Sequence, residues 1–92
     1  MITLISGNIT KVVAPLPELK YYSFVTEMSG DVVRISTQLK TIENNLGGFP
    51  INRYVPLVGV VKPGETVYAV CSSGSINISV AECYNPHSAV RI

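Results

Sequence analysis

From Val67 to Val80 the chain alternates so regularly that only paired β-strands accommodate it. A two-residue turn at Ser73-Gly74 sets Cys71 opposite Ile76, Ala69 opposite Ile78 and Val67 opposite Val80, all apolar and all on one face. The other face carries Ser72 with Ser75, Val70 with Asn77, and Tyr68 with Ser79. A slip of one residue mixes the two sets, so the pattern predicts a hairpin in this register. Ser-Gly supports it, because glycine tolerates the positive φ of tight hairpin turns.

The same grammar recurs at Ser6-Gly7-Asn8-Ile9-Thr10 and Ser29-Gly30-Asp31-Val32-Val33, at irregular spacing, so it reads as recurring hairpin chemistry and not as a repeat. A turn at Ser29-Gly30 places Phe24 opposite Ile35, Thr26 opposite Val33 and Tyr22 opposite Thr37. Ser23, Glu27, Arg34, Ser36 and Gln38 then share the polar face of that predicted hairpin. Ala14-Pro15-Leu16-Pro17 is extended and barred from a central ladder, since proline donates no backbone hydrogen bond. Thr41 to Pro50 reads as the longest loop, with room for one helical turn at Lys40 to Asn44. Ile51 to Val61 is a strand interrupted at Pro56, and Lys62-Pro63-Gly64-Glu65 has the type II turn signature. Tyr84-Asn85-Pro86-His87 is a last turn before a short strand at Ala89 to Ile92. The expectation is one all-β domain over residues 1–92, a small antiparallel barrel or sandwich built from hairpins, with about seven short strands.

Composition then bears on function. In 92 residues only 14% are charged, against roughly 25% in an ordinary soluble domain, while 47% are apolar. A small domain has the most surface per volume and needs more polar residues, not fewer. Part of this surface is therefore expected to face protein, in a homo-oligomer or on a larger assembly. Lys and Arg are scattered singly between Lys11 and Arg91, which disfavours a nucleic-acid partner. The longest apolar run, Val55 to Val61, is far below the ~20 residues of a spanning helix, so no membrane is expected either. Met1 to Asn8 lacks the basic and apolar blocks of a secretion signal, which predicts synthesis in the cytoplasm and leaves Asn8-Ile9-Thr10 and Asn77-Ile78-Ser79 as chance matches to the glycosylation pattern.

No residue set carries catalysis. His87 is the lone histidine and Asp31 the lone aspartate, and Asn85-Pro86-His87-Ser88 reads as a plain turn without a nucleophile beside it. One histidine, two cysteines and scattered acids offer no metal-ligand spacing, and no cofactor motif is present. In the predicted register Cys71 and Cys83 have opposite parity, with Cys83 opposite Gly64 and too far along the strand for a disulfide. Both are expected to be buried free thiols. Tyr21, Tyr22, Tyr54, Tyr68 and Tyr84 alternate with apolar neighbours, which points to core or interface packing before a stacking platform for sugar or single-stranded nucleic acid.

The segment from Val60 to Ile76, Val-Val-Lys-Pro-Gly-Glu-Thr-Val-Tyr-Ala-Val-Cys-Ser-Ser-Gly-Ser-Ile, resembles a phrase of small phage capsid-decoration proteins: a Pro-Gly-acid turn opening a strand that ends in Ser-Gly. The resemblance implies a virion structural protein that oligomerises and reinforces contacts between major capsid subunits. With the low charge, it directs attention to Tyr54, Tyr68, Val70, Val90 and Ile92 as interface residues, the last two on an apolar terminal segment suited to docking. The alternative from a different class is a small sugar- or ligand-binding barrel that exposes its tyrosines.

Overall fold

The computed structural model describes residues 2–26, 33–42, 48–51, 57–72, 74–84 and 89–92. In chain order these form β1 (Ile2–Ile5), β2 (Thr10–Val13), β3 (Lys20–Thr26), β4 (Val33–Ser36), the single turn of α1 (Leu39–Ile42), β5 (Phe49–Ile51), β6 (Leu57–Val61), β7 (Val67–Cys71), β8 (Ser75–Cys83) and β9 (Val90–Arg91). The fold is all-β, as expected, and it is an open sandwich of two sheets, not a barrel. Among the described residues it has nine strands against the about seven expected, and the segment Ile51 to Val61, read as one interrupted strand, contributes to two, β5 and β6, one in each sheet.

The larger sheet runs β1-β8-β3-β6-β9 and the smaller β2-β7-β4-β5. Antiparallel pairs join β1 to β8, β2 to β7, β3 to β6 and β4 to β5. This is one long antiparallel ribbon, bent in the middle and wrapped around a core. The wrap brings β3 against β8 and β4 against β7, which completes the two sheets of a jelly roll. β9 adds to β6 in parallel.

The hairpins expected at all three Ser-Gly segments are corrected by this topology. β1 and β2 do not pair, nor do β3 and β4 or β7 and β8; each couple is split between the two sheets. The connections from β1 to β2 and from β7 to β8 switch sheets and act as arches, not as hairpin turns. Ser6-Gly7 leads from β1 to β2, and the connection after Cys71 leads from β7 to β8; the Ser29-Gly30 turn lies outside the described residues, between β3 and β4. Gly7 and Gly74 hold the positive φ expected of them, 89° and 62°, and the Ser6 N–H donates to the Gly74 carbonyl at 2.9 Å, tying one arch to the other.

The predicted inward faces survive the change of partner. Val67, Ala69, Cys71, Ile76 and Ile78 are buried in one core with Phe24, Val33 and Ile35, and Val80 and Tyr22 pack against it. In a hairpin such residues would sit side by side; here they meet across the sandwich. Phe24, fully buried, fills the centre, where aromatic burial is worth several kcal/mol. The buried hydroxyls are satisfied: Thr26 donates to the Asn77 carbonyl at 3.3 Å, and Ser36 accepts from the Gln38 N–H at 3.0 Å.

Local chemistry closes the ends. Lys62 to Glu65 forms the type II turn, with Gly64 at φ 81°, a Glu65 N–H to Lys62 carbonyl bond of 3.1 Å, and the Glu65 carboxylate accepting the Lys62 N–H at 2.9 Å. Pro50 sits in β5, an edge strand, where a missing N–H is tolerated. The helical turn falls at Leu39–Ile42, and Ile42 is fully buried.

Candidate interaction surface

The register of the larger sheet determines what its outer side presents. Residues paired across an antiparallel ladder share a face. Tyr22, Phe24 and Thr26 point inward with Glu82, Val80 and Ile78, so Tyr21, Ser23 and Val25 point outward with Cys83, Ala81 and Ser79. On the far side of β3, Tyr21 and Ser23 lie beside Val60 and Val58. Thr3 and Asn77 extend the outer set toward β1, where the Thr3 hydroxyl donates to Asn77 Oδ1 at 2.7 Å.

None of the outward residues of β3, β6 and β8 is charged. Three valines, a tyrosine, an alanine and a cysteine adjoin serines across three neighbouring strands. An antiparallel sheet facing water on one side ordinarily carries polar and charged residues there. Arg91, beside Val60, is the nearest charge within the paired rows. The ion pair of Lys20 with Glu82, at 3.0 Å, lies on the inward parity at the end of the sheet, with Glu18 at 3.7 Å. The hydrogen bond from Lys20 to Glu82 and the attraction of that carboxylate raise the Lys20 pKa above the ordinary lysine value.

The smaller sheet differs. Its outer side carries two cations, Lys11 paired with Tyr68 and Arg34 paired with Val70. α1 packs against β4 and β7, and Val70 is only 4% exposed although it points away from the main core.

The residues singled out from sequence therefore do not converge on one surface. Tyr68 is half-buried on the outer side of the smaller sheet, and Val70 is covered within the chain. Val90 stands opposite Gly59 at the edge of the larger sheet. Ile92 turns inward, against Phe24 and over Gly59, where a side chain on residue 59 would overlap it, and its carbonyl accepts the Thr37 hydroxyl at 3.1 Å. The terminal segment is thus engaged with its own core. Tyr54, Asp31 and His87 lie outside the described residues.

Sequence reasoning missed the outward set Tyr21, Val25, Val58, Val60 and Ala81. The signal was present in Leu57-Val58-Gly59-Val60-Val61, an unbroken apolar strand that reads as covered on both faces. The cysteines are free thiols in different sheets: Cys71 is buried beside Val33, and Cys83 is half-buried on the outer side beside Tyr21. Among the described residues no three His, Cys, Asp or Glu side chains gather as metal ligands, and no helix is long and apolar enough to cross a membrane.

Comparison with protein-family models, with curated proteins and with solved structures finds no match. The reading of this surface rests on its own chemistry.

Proposed function

We propose that this chain is a virion structural protein, a capsid-decoration subunit that works by buried contacts and not by catalysis. It is synthesised in the host cytoplasm, associates with copies of itself and docks on major capsid subunits, whose contacts it reinforces. The observation that carries this reading is the uncharged outward patch of β3, β6 and β8, centred on Tyr21, Val25, Val58 and Val60, with Arg91 of β9 at its border. Such a face gains little from bulk water and fits the centre of a protein interface, where charges are depleted and aromatic residues enriched. The low overall charge points the same way. A jelly roll is compatible with it, as capsid domains use that architecture, but lectins and cupins use it too and the fold by itself assigns no role.

The sugar-binding alternative requires tyrosines on one surface. Tyr21 lies outside the larger sheet, Tyr22 inside it, and Tyr68 outside the smaller one, so these three do not form a platform. The test is the copy number of the chain on gradient-purified particles from cells that produce it. A fixed, repeated copy number per particle is the expected result. Recovery of the chain only as a free monomer by light scattering would overturn the proposal.

A further inference from the structure

β8 is longer than the strand beside it. It spans Ser75–Cys83, and β1 covers it only from Ser75 to Ile78. On its other side β3 pairs with β8 without a register shift from Ile78 to Cys83. Among the described residues, nothing pairs with β8 beyond Ile78 on the β1 side.

The hydrogen-bond phase of this open stretch follows from the arch. The Ser6 N–H donates to the Gly74 carbonyl, so Ser6 and Gly74 form a bonded pair. Bonded pairs recur at every second residue of an antiparallel ladder, which directs the backbone groups of Ile76 and Ile78 toward β1. Val80 and Glu82 continue that phase. Their N–H and C=O groups point into the open side, whereas those of Ala81 and Cys83 point to β3.

Two depressions flank the same stretch. One, about 350 Å³, is lined by Ile2, Val12, Val13, Leu16, Tyr22 and Val80. The other, about 220 Å³, is lined by Glu82, Cys83 and Tyr84. Tyr84, 98% exposed, stands at its rim. The first is lined mainly by aliphatic side chains and one phenol, and with Ile2 and Val80 on its wall it lies under the place that a strand in line with β1 would occupy.

We infer that this edge of β8, from Val80 to Cys83, accepts an extended strand from a partner protein. Backbone groups in β phase that no described residue pairs call for a β-strand, and the mainly aliphatic groove calls for an aliphatic side chain at alternate positions of an uncharged segment. Its outward side chains would continue the neutral face beside Ser79, Ala81 and Cys83, so strand addition and face docking form one continuous interface. The inference rests on the docking role proposed above.

The probe is the synthetic peptide acetyl-Thr-Val-Thr-Val-Thr-amide, added to the full isotope-labelled chain, with amide exchange read residue by residue. At saturation the Val80 and Glu82 amides slow by about tenfold or more, while Ala81 and Cys83, already bonded to β3, do not change. The same peptide with Asp in place of both Val has no effect. The inference fails if Val80 and Glu82 keep their rates, if protection spreads evenly over the chain, or if both slow with protein concentration in the absence of peptide, which would assign the edge to a second copy. A chain that takes the peptide but never sediments with particles sinks the decoration role alone. A chain bound to particles whose Val80 and Glu82 amides still exchange freely sinks the strand site alone.

Discussion

Gly59 and Ile92 form a matched pair that can be tested by exchanging volume between them. A Cβ on residue 59 would overlap Ile92 Cδ1 and lie 3.6 Å from Phe24 Cε2, so Gly59→Ala overpacks the site. Overpacking of this size costs about 1–3 kcal/mol, and the lower chain entropy of unfolded alanine offsets about 0.4–1 kcal/mol of it. The net expectation is a loss of roughly 1–2 kcal/mol. Ile92→Ala opens a gap over Gly59; because Ile92 is only partly buried, its loss belongs near the lower end of the ~2–5 kcal/mol range for isoleucine truncation. Combined, the new methyl enters the space that the isoleucine vacates. The double variant should be more stable than the sum of the single losses by about 1 kcal/mol, a coupling typical of residues in contact. Urea unfolding of the four proteins measures this directly. If the two losses add to within about 0.3 kcal/mol, Ile92 does not pack over Gly59 and the inward placement of the terminal segment is wrong.

Gly48→Ala should destabilise the chain more than Gly7→Ala. Both glycines have strongly positive φ, 88° and 89°, but a Cβ at 48 would meet the Ile35 carbonyl oxygen at 2.5 Å while a Cβ at 7 meets nothing. The shared backbone penalty is about 1–2 kcal/mol, so the excess in a thermal melt of Gly48→Ala reports the clash. For Lys20 the raised pKa means that its contribution is present below the unfolded lysine value of 10.5 and is lost as pH rises through the higher folded value. The Tm difference between the parent and Lys20→Gln should therefore be constant near neutrality and shrink above pH 10.5; a difference that grows with pH would contradict the Lys20–Glu82 pairing.

Much of the inside of this protein was legible from alternation alone. Phe24, Val33, Ile35, Val67, Ala69, Cys71, Ile76 and Ile78 all point where their parity predicts. Parity reports the face of a strand but not its neighbour, because a hairpin and an arch bury the same set of side chains. Alternation therefore gives the wrong pairing at the Ser-Gly connections that join β1 to β2, β3 to β4 and β7 to β8. That error also hid the interaction surface. The hairpin reading placed Arg34 and Ser36 on the same face as Ser23, which made that face look charged. In the sandwich Arg34 and Ser36 belong to the other sheet, and the face around Ser23 is neutral. The Lys62–Glu65 turn was readable because its chemistry is confined to four consecutive residues.

The central claim is that the neutral face of the larger sheet is the docking surface. Val58→Lys and Ala81→Lys each place a cation at an outward position that does not enter the core, so the fold is expected to persist. The deciding measurement is the copy number of the Val58→Lys, Ala81→Lys double variant on purified particles, beside its melting curve. The account predicts a variant with a near-parental melt that is lost from particles and from the self-associated fraction. A folded variant retained at the parental copy number would contradict it.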